Sequence, residues 1–147
     1  MPGIIVGVDG SRHSRRALQW AVSEAAARRA PLTVLTVHQE AAGYWGGPVP
    51  FPYAADPSLI EQARKEVQRE TDDVLDEFAA GSRPPSVTVR VVTGLTAEEL
   101  LTAAEHADLL VVGARGAGGF KRLLLGSVST HVTHHAHCPV VVVPADK

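Results

Sequence analysis

The 147-residue sequence predicts an α/β protein in which one parallel, five-stranded sheet carries helices on both faces. Two observations support this. Short apolar runs rich in β-branched residues alternate along the chain with longer stretches whose apolar residues recur every three or four positions. Glycine and proline residues separate the two kinds of segment. Because a chain of this length can bury a sizeable core, we expect residues 1–147 to form a single domain.

The first three elements form a strand–helix–strand unit. Residues 4–8 are an apolar run that ends at Asp9, which is typical of a buried strand followed by a turn. A helix is predicted over residues 14–29, and Pro31 separates it from a second strand over residues 32–37. These connections predict that the two strands are parallel with a right-handed crossover.

The next segment, residues 39–57, is predicted to be a long loop. It holds three glycines and four prolines among four aromatic residues. This segment is too rich in turn-forming residues for a regular element and too long for a simple connector. Loops of this kind are either lids or poorly ordered, and the aromatic side chains favour a loop that packs on another part of the molecule.

The middle of the chain adds a helix, a strand and a further helix. The helix is predicted over residues 59–78. The strand begins near Val87, where valines alternate with polar residues in the manner of a strand near an edge. Thr96 and Glu99 have the spacing of a capping box, which predicts that the third helix begins with Thr96 as its N-cap.

The last third of the chain holds the strongest functional signal. Residues 109–112 and 140–143 are apolar runs typical of buried strands, and a fourth helix is predicted over residues 127–136. Glycine turns follow the first of these runs and precede the helix, for which Ser127 is the expected N-cap. Glycines let the backbone approach a ligand closely, and the N–H groups at a helix start favour phosphate. The segment therefore favours a phosphorylated ligand.

Three loops are expected to meet at one place. Ligands of open parallel sheets bind beyond the carboxyl ends of the strands, where the strand order reverses. If the first and fourth strands are central neighbours, residues 7–11 lie beside residues 113–116, and residues 126–127 return the chain to the same crevice. This convergence is the basis of the functional prediction.

The polar residues of these loops admit two interpretations. Asp9 would bind a base or ribose group, or hold Mg²⁺ against phosphates, while Arg115, Lys121 and Arg122 would add charge-assisted contacts. Alternatively, the glycines form only tight turns, Asp9 caps the first helix, and the basic side chains are solvated.

The spacing Gly113-x2-Gly116-x9-Gly126-Ser127 resembles the ATP-binding signature of the universal stress protein family. The opening IIVGVDGS, the run ADLLVVGARG and the closing HCPVVVVP are also similar to that family, so the resemblance covers essentially the whole chain. It implies one universal stress protein domain with a Rossmann-like (adenine nucleotide alpha hydrolase-like) fold and the strand order 3-2-1-4-5. The loop at residues 39–57 departs from a generic member.

The resemblance also implies an ATP site and a dimer. Asp9 and the glycine loops would contact ATP, Val37 would lie near adenine, and Ser127 and Ser129 would meet ribose and phosphates. Asp9 is the candidate ligand of nucleotide-bound Mg²⁺. A homodimer would form through the last strand, Val140–Val143, whose edge is otherwise unpaired. The implied cofactor-binding residues are Gly7, Val8, Asp9, Val37, Gly113, Arg115, Gly116, Gly119, Gly126, Ser127, Val128 and Ser129.

Composition and net charge indicate the cellular compartment and the classes of partner that we expect. The net charge of −2 gives no electrostatic footprint for nucleic acid or an anionic membrane, and no apolar run is long enough to span a bilayer. The one cysteine, Cys138, fits a reducing compartment. We therefore expect a cytoplasmic protein without nucleic-acid or membrane partners.

Four histidines near the end of the chain form a second candidate site. His131 and His135 share a helix face, but no Cys, Asp or Glu nearby in the sequence completes a metal-ligand set. Surface or packing roles are therefore favoured for His131, His134, His135 and His137.

The expected function is that of an ATP-binding, stress-response regulator with at most slow ATP hydrolysis, because no general base or arginine finger is evident. Two alternatives stay open. One is an ATP-dependent enzyme of related fold, although VDGSRHS stands where such enzymes carry an SGGxDS-type loop. The other is a nucleotide-independent dimeric interaction module. AMP, a cyclic nucleotide or a flavin remain alternative ligands.

Overall fold

The computed structural model describes residues 2–39, 57–115 and 126–144, and within them five parallel strands form one sheet. The strands follow one another across the sheet in the order 3-2-1-4-5, as the resemblance implies. Both this order and the α/β class are therefore confirmed. The strands are β1 (Ile4–Gly7), β2 (Leu32–Gln39), β3 (Val87–Gly94), β4 (Leu109–Gly113) and β5 (Val140–Val143).

Helices cover both faces of the sheet. The apolar cluster on one face includes residues of α1 and α2, and the cluster on the other face includes residues of α3 and α4. This division follows from right-handed crossovers, because the chain moves outward through β2 and β3 and then returns to β4 on the opposite side of β1. The helices are α1 (Arg12–Arg28), α2 (Pro57–Asp76), α3 (Thr96–Ala103) and α4 (Ser127–His135), and a 3₁₀ turn spans Ala80–Ser82.

The centre of the sheet is the most deeply buried part of the molecule. In β1 and β4 successive side chains enter opposite apolar clusters, so Val111 packs on the α1–α2 side while Leu110 packs on the α3–α4 side. Such strands are apolar along their whole length because neither face meets water. None of the helices within the described ranges is long and apolar enough to cross a membrane.

Three helices are capped one or more residues earlier than the sequence predicts, although α4 itself begins at residue 127 as predicted. The Ser11 hydroxyl accepts a hydrogen bond from the Ser14 N–H at 3.2 Å, so α1 begins at Arg12 rather than at residue 14. Leu95 is the N-cap of α3, and the Glu99 N–H donates to the Leu95 carbonyl instead of a Thr96 side chain. Gly126, not Ser127, is the N-cap of α4.

The strands also differ from prediction in extent and burial. β2 continues two residues past Val37 to Gln39, in register with β3. There the Gln39 side-chain amide donates to the Thr96 hydroxyl at 2.9 Å, which occupies the predicted capping group of α3. In β5 only Val143 is fully buried, so the prediction of a buried strand over residues 140–143 is wrong for the other three valines. β5 lies at one edge of the sheet, and β3 lies at the other, as its alternating pattern predicts.

Candidate functional site

The candidate site lies where β1 and β4 end side by side. The two strands are paired in parallel, with Val6 opposite Val111, so their carboxyl ends lie side by side at the same end of the sheet. The helix that follows β1 lies on one face, and the helix that follows β4 lies on the other. This is the switch point at which open parallel sheets bind ligands.

The loop after β1 is held by backbone and side-chain hydrogen bonds. The buried Val8 donates its N–H to the Leu35 carbonyl at 2.9 Å. One carboxylate oxygen of the exposed Asp9 accepts from the Ser11 N–H at 2.9 Å, and the Asp9 N–H donates to the Ser14 hydroxyl at 3.2 Å. Asp9 therefore shapes the turn into α1 while its side chain stays exposed, and the Ser11 hydroxyl caps the helix.

Glycine at position 113 allows close contact between β4 and the start of α1. A Cβ atom at Gly113 would lie 3.0 Å from the His13 carbonyl oxygen and 3.2 Å from its carbon. Both atoms belong to backbone, which moves less readily than the end of a side chain. Glycine at this position therefore lets the first turn of α1 approach the end of β4 closely.

The loop after Gly113 is connected to the start of α4. The Ala114 N–H donates to the Val143 carbonyl at 2.8 Å, and the Ala114 carbonyl accepts from the Gly126 N–H. The Ser129 hydroxyl, which is 2% exposed, lies 3.0 Å from the carbonyl oxygens of both Ala114 and Gly126. The end of β4 and the first turn of α4 are therefore fixed to each other.

The first turn of α4 supplies potential donors to an anion. The N–H groups of the first helical residues, which begin at Ser127, have no acceptor within the helix. Ser127 is exposed and Val128 is half-buried against the apolar cluster beneath it. The Ser127 hydroxyl is thus accessible from solvent, whereas the Ser129 hydroxyl is buried and donates to backbone.

The predicted site residues fall into three groups. Residues 7–9, 113–115 and 126–129 are brought together at the ends of β1 and β4 and the start of α4. Val37 lies within neighbouring β2, half-buried and paired with Val92 of β3. Gly116 and Gly119, the basic residues Lys121 and Arg122, and residues 40–56 of the predicted loop lie outside the described residues.

Glu70 of α2 is a neighbour of the site that the sequence analysis missed. Burial raises the pKa of the Glu70 carboxyl, the positive charge of Arg15 opposes this, and the negative charge of Asp9 raises it further. One carboxyl oxygen, Oε1, is buried without a hydrogen-bond partner among the described residues. No sequence signal identifies this electrostatic interaction, because only the packing of α2 on α1 brings Glu70 near Arg15 and Asp9.

One histidine of α4 lies beside α3, and the others neighbour one another on α4. The His131 Nε2 atom lies 3.5 Å from a carboxylate oxygen of Glu98, and the ring centres of His131 and His135 are 4.6 Å apart. No three His, Cys, Asp or Glu side chains in the described part of the chain are arranged as a ready metal-binding group. Cys138 is half-buried rather than buried, and desolvation raises the pKa of its thiol, so the protonated form is favoured.

Comparison with known proteins agrees with this architecture. The model of the universal stress protein family matches residues 2–144. A universal stress protein of Thermus aquaticus is 35% identical over 142 residues, which are 95% of this chain and 96% of that protein. A universal stress protein of Mycobacterium tuberculosis is 34% identical over 145 residues, which are 96% of this chain and 47% of that protein. The chain thus spans about half the length of the mycobacterial relatives it matches.

A solved structure extends the comparison to three dimensions. A universal stress protein in complex with cAMP is 28% identical, with a TM-score of 0.66, and the match covers 97% of this chain and 96% of that one. Sequence and fold therefore agree across nearly the entire chain, and this chain belongs to the universal stress protein family.

Proposed function

We propose that this chain is an ATP-binding regulatory protein whose nucleotide occupies the crevice at the ends of β1 and β4. The observation that carries the proposal is the convergence there of residues 7–9, 113–115 and 126–129, with the Ala114 carbonyl joined to Gly126 and Ser129. The comparison structure in complex with cAMP supports an adenine nucleotide as the ligand class.

The arrangement suggests an orientation for the nucleotide. The N–H groups and positive dipole end of α4, with the Ser127 hydroxyl, favour the phosphates, and Arg115 adds positive charge at the end of β4. Adenine would lie toward β2, near Val37, on the other side of β1. Asp9, between these positions, would contact ribose or hold Mg²⁺ against the phosphates.

The proposed role is regulation rather than turnover. Binding would shift a conformational equilibrium by the difference in nucleotide affinity between two states. Hydrolysis, if it occurs, is expected to be slow, well below the roughly 1 s⁻¹ at the low end of ordinary enzymes. We place this activity in the cytoplasm, where ATP is available and the lone Cys138 would stay reduced.

Identification of the ligand is the first test. Purified protein is denatured, and released small molecules are identified by mass spectrometry. ATP, AMP and cAMP are then titrated into nucleotide-free protein by calorimetry. We expect ATP to bind most tightly. Tighter binding of cAMP would replace ATP as the ligand, and no binding of any adenine nucleotide would reject the proposal.

Matched substitutions test the location. Asp9→Ala and Ser127→Ala should each weaken ATP binding about tenfold, because each removes a polar contact worth about 1.5 kcal/mol. Asp108→Ala is the control, since Asp108 is an exposed aspartate at the amino-terminal end of β4, away from the crevice at its carboxyl end. Equal affinities for Asp9→Ala, Ser127→Ala and the control would place the nucleotide elsewhere.

We further propose a homodimer that pairs β5 with β5 of a second copy. The Leu110 N–H donates to the Pro139 carbonyl and the Ala114 N–H donates to the Val143 carbonyl. In a parallel ladder alternate residues bond to the same neighbour, so the backbone groups of Val140 and Val142 point to the open edge. β5 therefore presents three half-buried valines and unpaired backbone groups at an open edge, and pairing with a second copy would cover them.

The dimer is tested by matched proline substitutions at the two edges of the sheet. Val142→Pro removes an outward N–H of β5, and Val89→Pro removes an outward N–H of β3 by the same ladder rule. Light scattering after size-exclusion chromatography should show a dimer for the wild type and for Val89→Pro, and a monomer for Val142→Pro. A dimer that survives Val142→Pro would exclude pairing through β5.

A further inference from the structure

We propose that Glu70 couples nucleotide binding in the crevice to the uptake of a proton, so that the affinity for ATP falls as pH rises. Glu70 lies on α2 and is half-buried, and α2 packs against α1. Because the ligand is that of the same crevice, this coupling rests on the proposed function. It adds a second input, since occupancy would respond to pH as well as to nucleotide concentration.

The environment of Glu70 disfavours a charged carboxylate. Its Oε1 atom is buried and has no hydrogen-bond partner within the described part of the chain. A carboxylate that is removed from water without gaining a donor is costly to ionise, so burial raises the pKa of the Glu70 carboxyl. Glu70 therefore exchanges its proton at a higher pH than an ordinary carboxyl does, and added charge nearby shifts that exchange further.

The interface between α1 and α2 holds Glu70 near the crevice. Arg15, in the first turn of α1, donates to a carboxylate oxygen of Glu77 at 3.1 Å, beyond the end of α2. The Asp9 N–H donates to the Ser14 hydroxyl of the same first turn at 3.2 Å. The loop after β1 and the last part of α2 are thus both tied to the start of α1. This arrangement fixes the Glu70 carboxyl relative to the Asp9 carboxylate.

The charges around Glu70 are of both signs. Burial acts first on its carboxyl, the positive charge of Arg15 opposes burial, and the negative charges of Asp9 and Asp73 act with it. By strand alternation His38 of β2 lies on the face of the sheet that α2 covers, whereas Arg90 of β3 lies on the other face. The ionisable side chains on the elements around Glu70 are Asp9, Arg12, Arg15, Arg16, His38, Glu66, Arg69, Asp73, Glu77 and Arg90.

A bound nucleotide would change the proton affinity of Glu70. ATP in the crevice adds negative charge close to Asp9, and negative charge favours the neutral, protonated form of a carboxyl. The bound state therefore holds the Glu70 proton more tightly than the free state. Binding takes up a proton, and the affinity for ATP falls as pH rises through the range in which Glu70 ionises.

The test compares ATP affinity by calorimetry at about pH 4.5 and about pH 7.5. Glu70→Gln keeps the shape of the side chain but is neutral at every pH. It should bind ATP about threefold more tightly than the wild type at the higher pH and equally at the lower one, which is the scale of an interaction between partly screened charges. Glu66→Gln is the matched control, because Glu66 is exposed on the same helix. Its affinity should equal that of the wild type at both pH values.

A second readout counts the protons. At about pH 5.5, the binding enthalpy in buffers of different ionisation enthalpy should show a larger proton uptake for the wild type than for Glu70→Gln. An equal uptake would overturn the coupling. So would an affinity of Glu70→Gln that equals the wild type at both pH values, or that differs from it by the same factor at both. ATP that binds without this difference leaves the proposed function standing, whereas an absence of ATP binding to the wild type rejects both.

Discussion

The edge strand β5 contains the same type of apolar residue as the central strands β1 and β4 but has a different environment, and the other edge strand, β3, alternates valines with polar residues. β1 and β4 are buried on both faces and paired on both sides, whereas β3 and β5 are paired on one side only and are mostly half-buried. The position of a strand in the sheet, rather than its composition, sets the burial of its valines. The candidate crevice also depends on strand position, because it lies at the carboxyl ends of the central strands β1 and β4.

The largest expected effect comes from truncating a central valine. Val111 and Val141 are cross-strand partners on one face of the sheet, and Val111 is 0% exposed while Val141 is half-buried. Val111→Ala should lower the free energy of unfolding by about 2–3 kcal/mol, since it leaves a closed cavity, and Val141→Ala by about 1 kcal/mol. Urea unfolding measures both. Equal losses would contradict the contrast between centre and edge.

Glycine substitutions give a second comparison between the crevice and the periphery. Gly113→Ala places a Cβ atom 3.0 Å from the His13 carbonyl oxygen, so backbone must move, and we expect a loss of about 2 kcal/mol. Gly81→Ala is the control, because a Cβ there meets nothing within 4 Å. It should be neutral or slightly stabilising. A neutral Gly113→Ala in thermal unfolding would show that α1 and β4 are not tightly packed at this point.

Two serines of α4 allow a comparison between a buried, structural hydroxyl and an exposed one within the site. Ser129→Ala removes a buried hydroxyl whose one proton is shared between the Ala114 and Gly126 carbonyl oxygens, so it should lower stability by about 1–2 kcal/mol. Ser127 is exposed, and Ser127→Ala should change stability by less than about 0.5 kcal/mol. Chemical denaturation tests this order, and a larger loss for Ser127→Ala would reverse the assignment.

The smallest effect concerns Glu70, at the border of the crevice. Because burial raises the pKa of its carboxyl, the folded state binds the proton more tightly than the unfolded state. The free energy of unfolding therefore falls as pH rises through the carboxyl range. Glu70→Gln should raise stability by about 0.5 kcal/mol at pH 7 and not at pH 4. The exposed Glu66→Gln is the control, and a pH-independent effect of Glu70→Gln would refute this account.

Most of the fold could be predicted because its signals are local. Apolar runs identified four strands and alternation identified β3, while periodicity, a capping box and turn residues identified the four helices. The starts of the helices were less predictable. Thr96 and Glu99 have capping-box spacing, yet Leu95 is the N-cap, and the Thr96 hydroxyl accepts a hydrogen bond from Gln39 at a neighbouring strand end. The local spacing did not reveal this contact between distant segments.

The candidate site was predictable in position but not in its contacts. Glycine spacing and the switch-point rule located the loops that the structure brings together. The sequence could not distinguish the buried Ser129 from the exposed Ser127, because that difference depends on the Ala114 carbonyl across the crevice. The role of Gly116 and Gly119, which lie outside the described residues, stays a prediction.

The sequence by itself determined the order of strands and helices, the turns between them and the family resemblance, since each depends on residues close together along the chain. Only the tertiary structure decided that β5 is half-buried, that Glu70 lies near Asp9, and that Glu98 of α3 faces His131 of α4. No acidic residue follows the histidines closely in the sequence, and packing of the two helices supplies one. The periodicity of apolar residues shows which face of a segment is buried, whereas the packing of the elements determines which side chains from distant segments lie in contact.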